Sequence, residues 1–169
     1  MFTAAVITVS DSCHLGTRVD LSGPTVAELL AGNGFEVLGR VTVPDERTAI
    51  ERALESCASR VAFVVTTGGT GIGPRDVTPE ATRNVCDRLI DGIPELMRSE
   101  GCRETPFAVL SRALCGTLDQ SLVLNLPGSP RGATTSLKAV LPLISHALML
   151  LAGGESPHPE SDNRQDETL

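Results

Sequence analysis

The pattern that most restricts this chain is the alternation of short apolar runs, rich in β-branched residues, with longer segments of helical periodicity. Residues 4–9, 35–43, 61–65 and 121–126 read as strands. Helices are expected from Ser22-Gly23-Pro24, from Pro44-Asp45-Glu46, from Thr78-Pro79-Glu80 to about residue 90, after Gly92, and over 134–151 with a bend at Pro142. The apolar stripes Val26, Leu29, Leu30 and Ile50, Ala53, Leu54, Cys57 face inward on the first two. Residues 61–65 are apolar at every position, as a strand covered on both faces requires. A strand or hairpin is expected over 107–117, followed by a turn at 118–120. Strands alternating with helices predict a single doubly wound α/β domain, residues 1–153, with a mainly parallel sheet and helices on both faces.

Of the net charge of −7, residues 155–169 hold −4, with five acids against one arginine. The polar stretch 154–169 is therefore expected to be a disordered acidic tail. The acidic balance argues against nucleic-acid and anionic-membrane partners. With four Phe and no Trp or Tyr, a surface for stacking bases is not expected either. The five scattered cysteines form no C-x-x-C pair, so neither a disulfide framework nor a zinc site is indicated. Met1-Phe2-Thr3 runs into strand pattern without signal-peptide features, and no uninterrupted apolar run reaches bilayer length. The expectation is a cytoplasmic protein.

In open α/β sheets, ligands bind beyond the carboxyl ends of the strands. Three loops there have unusual composition: Ser10-Asp11-Ser12, the segment 66–76, and Asn125-Leu126-Pro127-Gly128-Ser129. The second reads Thr-Thr-Gly-Gly-Thr-Gly-Ile-Gly-Pro-Arg-Asp. Four glycines in six residues let backbone amides approach an anion closely, although one or two would satisfy a tight turn. It is neither a Walker A loop nor G-x-G-x-x-G, because no Gly-Lys-Ser/Thr follows and Pro74 takes the last glycine's place. Asp76 is either a turn carboxylate or a ligand for nucleotide-borne magnesium. Asp45 is a helix cap or a second such ligand, and Asp11 an Asx turn or a hydroxyl or metal contact. Arg75 and Arg131 are the phosphate-pairing candidates, and either could equally be a solvated surface arginine. Spacing thus leads to a crevice for a nucleotide or phosphate, without naming a reaction.

At these same positions the chain resembles the molybdenum-cofactor biosynthesis family, the Mog-like enzymes and the related domain of gephyrin. The resemblance spans roughly residues 4–152. It rests on Thr8-Val9-Ser10-Asp11-Ser12, Pro44-Asp45-Glu46, residues 66–71, Pro74-Arg75-Asp76-Val77-Thr78-Pro79-Glu80-Ala81-Thr82, Leu110-Ser111-Arg112 and Asn125-Leu126-Pro127-Gly128-Ser129, in that order. It implies a homotrimeric adenylyltransferase that moves AMP from Mg-ATP to the terminal phosphate of molybdopterin and releases pyrophosphate. A molybdopterin- or nucleotide-binding scaffold without turnover is the alternative. The resemblance further implies that Gly68, Gly69, Thr70, Gly71, Pro127, Gly128 and Ser129 hold the nucleotide. Asp45 and Asp76 would serve Mg²⁺ and catalysis, while Ser10, Asp11, Ser12, Arg75, Ser111 and Asn125 would line the substrate pocket. The molybdate-inserting enzyme is the implied downstream partner. The chain has one lysine, Lys138, so Arg75 and Arg131 supply the cations near the site.

Overall fold

A computed structural model describes residues 1–154, so the expected tail disorder falls outside the described residues. Six strands form one sheet in the order β2-β1-β3-β6-β5-β4. They are β1 (Phe2–Val9), β2 (Phe35–Val43), β3 (Phe63–Thr67), β4 (Arg88–Leu89), β5 (Cys115–Leu118) and β6 (Ser121–Leu126). The four strands β2, β1, β3 and β6 run parallel, whereas β5 is antiparallel to both β6 and β4. The mainly parallel sheet matches the expectation. In register, Thr8 lies beside Thr67, Val9 beside Val43, and Thr67 beside Leu126. Four carboxyl ends therefore finish level, and the loops leaving them start from one edge.

The helices are α1 (Asp11–His14), α2 (Ser22–Gly32), α3 (Arg47–Ala58), α4 (Thr78–Val85), α5 (Gly92–Cys102) and α6 (Pro130–Leu151). Successive strand residues point to opposite sides of a sheet, and here they divide between two apolar clusters. Ala4, Val6, Phe63, Val65, Leu122 and Leu124 pack with Val26 and Leu30 of α2, Ile93 and Met97 of α5, and Leu137, Val140 and Ile144 of α6. Ala5, Ile7, Val64 and Val123 pack instead with Ile50 and Leu54 of α3 and Ala81 of α4. Burying one such aliphatic side chain contributes about 1.5–3 kcal/mol, so α6, with six apolar residues in the core, is fastened most firmly and α1, with none, least. Burial also pushes the thiols of Cys86 and Cys115 up to about 11 and about 12, which leaves them protonated and unreactive near neutrality.

Four expectations need correction. The helix from Thr78 stops at Val85, because the Asp87 and Ile90 amides donate to the Thr117 and Cys115 carbonyls at 2.8 Å and extend the sheet. Residues 107–117 are not one strand: a 3-10 turn, Pro106–Leu110, capped by the Thr105 hydroxyl, comes first, and β5 begins only at Cys115. The last helix starts at Pro130, where Ser129 caps it and proline tolerates the first turn. Finally, α6 is long and apolar enough to cross a membrane by length and composition, with a mean hydropathy of 1.4. Counting unbroken apolar runs passes over it, since Lys138, Pro142 and Ser145 interrupt the sequence. Its Leu137, Val140, Ile144 and Leu148 are buried in the core.

Candidate functional site

The loop after β3 turns at once. Gly68 and Gly69 take φ of +103° and +64°, a region that disfavours side chains. A Cβ on Gly68 would stand 2.3 Å from the Val9 carbonyl oxygen, and one on Gly69 would stand 2.4 Å from Thr78 Oγ1. The other two glycines have a different reason. Gly71 and Gly73 lie where a Cβ would meet Asp76 Oδ2 at 2.8 and 2.9 Å, so their bareness makes room for that carboxylate. The same oxygen accepts the Gly73 amide at 2.8 Å, which curls the loop around Asp76.

Neighbouring segments hold this curl in place. Thr78 Oγ1 donates to the Gly68 carbonyl at 2.9 Å, and Thr67 Oγ1 donates to that of Pro127 at 2.8 Å. Arg75 reaches Asp11 with both Nε (3.1 Å) and Nη2 (2.8 Å). Asp11 and Asp45 then exchange backbone-to-carboxylate bonds: Asp11 N donates to Asp45 Oδ2 at 2.7 Å, and Asp45 N to Asp11 Oδ1 at 2.9 Å. The loops after β1, β2 and β3 are thereby joined.

These contacts set the local charge. The Arg75 guanidinium, helped by the Asp45 amide, holds the Asp11 carboxyl below its usual value. Burial pushes the Asp45 carboxyl up, and the negative charges of Asp11 and Asp76 push it the same way, against the Asp11 amide. Such a carboxylate gains by meeting a cation.

Two hollows flank the curl. The larger, about 500 Å³, is bounded by Gly69, Thr70, Asp76, Ser111, Gly128 and Ser129 on its polar side and by Met97, Phe107 and Leu110 on its apolar side. The smaller, about 310 Å³, is bounded by Ser10, Asp20, Asp45, Gly68, Gly69, Gly128 and Ser129. Gly69, Gly128 and Ser129 belong to both, so the hollows share a wall. Asp45 faces one and Asp76 the other. Among the described residues no three His, Cys, Asp or Glu side chains gather as a metal cage. Two carboxylates suit a cation that takes its remaining ligands from phosphate and water, as Mg²⁺ does.

The residues singled out in the sequence divide accordingly. Gly68, Gly69, Thr70, Gly71, Asp45, Asp76, Ser10, Ser111, Pro127, Gly128 and Ser129 all line one hollow or the other. Ser10 also caps α1, accepting the Cys13 amide at 3.2 Å, and its hydroxyl lies 3.2 Å from that of Ser12. Asn125 is placed differently: it is fully buried, donating to Thr66 Oγ1 (3.0 Å) and Thr82 Oγ1 (2.8 Å) while accepting the Leu114 amide (3.1 Å). Arg75 is paired with Asp11 and Arg131 with Glu104 (2.8 Å), and both guanidiniums are largely exposed. Sequence reasoning missed Arg98, the one basic side chain among the described residues lining the larger hollow.

Two glycine-bearing loops meeting at the carboxyl edge of the parallel strands, with an acid on each side of their shared wall, define an α/β protein with two adjoining hollows along one sheet edge. Residues 5–146 match the family model described as a probable molybdopterin binding domain, and the chain belongs to the molybdenum-cofactor biosynthesis family. It is 40% identical over 153 residues to the molybdopterin adenylyltransferase of Helicobacter pylori J99, covering 88% of this chain and 86% of that one. It is 38% identical over 154 residues to the molybdenum cofactor synthesis protein cinnamon of Drosophila melanogaster, covering 88% of this chain but 25% of that much longer protein. The crystal structure of the molybdopterin biosynthesis enzyme MoaB from Thermus thermophilus superposes with a TM-score of 0.85 at 48% identity, covering 90% of this chain and 98% of that one.

Proposed function

We propose that this chain is a molybdopterin adenylyltransferase, joining the AMP moiety of Mg-ATP to the terminal phosphate of molybdopterin with release of pyrophosphate. The observation that carries the reading is the pair of hollows separated by Gly69, Gly128 and Ser129, with Asp45 on one side and Asp76 on the other. Similarity to proteins named for that activity supports it. The Helicobacter protein is matched over most of its length, which a short shared motif would not produce.

The residue types fit the chemistry. An oxygen of the molybdopterin phosphate attacks the α-phosphorus of ATP. A new phosphorus–oxygen bond forms as the bond from the α-phosphorus to the bridging oxygen breaks, and the electron pair leaves on pyrophosphate. The nucleophile is already an anion, so no side chain has to remove its proton or form a covalent intermediate. The protein has to hold two polyanions at close range, and alignment of this kind lowers a barrier by several kcal/mol. In this reading the bared amides of Gly68–Gly71 and Gly128 face the nucleotide phosphates. Asp45 and Asp76 would hold magnesium, which would neutralise phosphate charge. Ser111 in the larger hollow and Ser10 in the smaller contact one substrate each, Asp11 and Ser12 shape the loop beside Ser10, and Asn125 serves from beneath by fixing the loop ends.

We also read the fold as doubly wound, the protein as cytoplasmic, and its assembly as a homotrimer that hands product to the molybdate-inserting enzyme. The deciding experiment incubates purified protein with Mg-ATP, with and without molybdopterin. Pyrophosphate release that requires molybdopterin, with adenylylated pterin as co-product, is the expected result. Binding of both compounds without release would make the chain a scaffold. Release that ignores molybdopterin would make it a different phosphate-handling enzyme.

A further inference from the structure

Arg112 occupies no part of either hollow, yet it touches the loop that builds them at three points. Its backbone amide donates to the Thr70 carbonyl at 2.9 Å. Its Nε donates to the Gly71 carbonyl at 2.7 Å, and Nη2 to the Asp76 carbonyl at 2.6 Å. One planar guanidinium thus spans the two ends of the excursion from Gly71 to Asp76. Glu80, in the first turn of α4, accepts from Nη1 and Nη2 of the same group and prevents it from turning away. The Arg112 guanidinium in return holds the Glu80 carboxyl below its usual value, so the pair is charged at neutral pH.

We propose that Arg112 and Glu80 are positioning residues for the adenylyl-transfer site, fixing the Gly71–Asp76 excursion so that the Asp76 carboxylate faces the larger hollow. The proposal rests on the adenylyltransferase reading only for its activity arm. A guanidinium is needed because its donors lie in one rigid plane and can reach two carbonyls and a carboxylate at once. An ammonium offers one point charge and cannot span them. The excursion itself has few alternatives: its internal backbone bond is Asp76 N to Gly73 O, and Ile72 lies exposed. The remaining bonds between Gly73 and Asp76 close the curl on itself and do not tie the Gly71 and Asp76 carbonyls together, which the guanidinium does.

The test uses the full chain and four variants, Arg112→Lys, Glu80→Gln, Asp76→Asn and the double variant Arg112→Lys/Asp76→Asn. Amide exchange is followed first, because it needs no activity. The Gly73 amide, which Asp76 accepts, should exchange about tenfold faster in Arg112→Lys while core amides of β1 and β3 are unchanged. In the activity assay, Arg112→Lys should lower kcat about tenfold or more and raise the Mg²⁺ concentration needed for half-maximal rate, with KM for molybdopterin little altered. Glu80→Gln should do the same to a smaller degree. The decisive arm is the double variant. If Arg112 works through Asp76, the lysine change costs almost nothing more once Asp76 is already asparagine. Multiplying losses, or unchanged Gly73 exchange in a folded Arg112→Lys protein, would overturn the proposal. A wild-type chain that releases no pyrophosphate would remove the adenylyltransferase reading, and the exchange arm would still decide the positioning claim.

Discussion

Two loops leave neighbouring parallel strands, and they are made in different ways. The loop after β6 is three residues long before α6 begins, and apart from the Thr67 hydroxyl on the Pro127 carbonyl its order is local. Ser129 Oγ accepts the Gly132 amide at 3.2 Å, and the Ala133 amide closes on the Ser129 carbonyl at 2.9 Å. The loop after β3 covers ten residues before α4, and its order comes from a distance. Asp11, Arg112 and Thr78 contribute side chains, and two of its glycines lie in the left-handed region. A short loop inherits its shape from the helix it starts. A long one that must enclose a carboxylate has to be held by residues that sequence does not place beside it.

The sharpest test of that contrast is a matched pair of glycine substitutions. Gly68→Ala combines a left-handed backbone with a contact at 2.3 Å to the carbonyl of Val9, and should cost about 3 kcal/mol or more. Gly128→Ala meets Gly68 Cα at 3.2 Å and has no positive φ, so about 1 kcal/mol is expected. Urea unfolding of both would reverse the comparison if Gly128→Ala proved the more damaging. Next in size, Asp76→Asn should lower adenylyl transfer about a hundredfold and leave the thermal midpoint near wild type. Wild-type turnover would remove Asp76 from the chemistry.

Smaller effects are expected where order is local or exposed. Ser129→Ala loses the cap of α6 and should cost about 1 kcal/mol in urea unfolding. Arg75→Ala removes a solvated pair and should change stability by less than about 1 kcal/mol. The subtlest measurement follows Asp45 by carbon-13 carboxyl titration. Its folded-state value lies above the unfolded one, so its penalty appears as pH rises past the unfolded value and is complete above the folded value. Asp11→Asn removes a negative neighbour while its Oδ1 can still accept the Asp45 amide. The Asp45 titration should therefore move down, and no movement would show that the Asp11 charge does not raise it.

What the sequence made legible follows from range. Apolar runs such as Val64-Val65 and Leu122–Leu124 carry their burial in themselves, and the Thr78-Pro79-Glu80 start carries its own helix signal. The end of α4 does not, because Asp87 and Ile90 pair with Thr117 and Cys115, some thirty residues away. The four glycines announced a special loop but not their division of labour: two bend the backbone and two clear space for Asp76. Nothing near Arg75 in the sequence points to its ion-pair partner, Asp11, which lies sixty-four positions earlier. Short elements such as α1, one turn long, have no periodicity to detect.

The wall common to the two hollows is made of Gly69, Gly128 and Ser129, and Gly128 packs so closely on Gly68 that a Cβ there would stand 3.2 Å from its Cα. Whatever settles on one side of it therefore sits against the floor of the other. By thermodynamic linkage, any change that the first occupant makes in the second one's affinity is returned in equal measure. Order of arrival then alters the route to the ternary state and leaves its free energy unchanged.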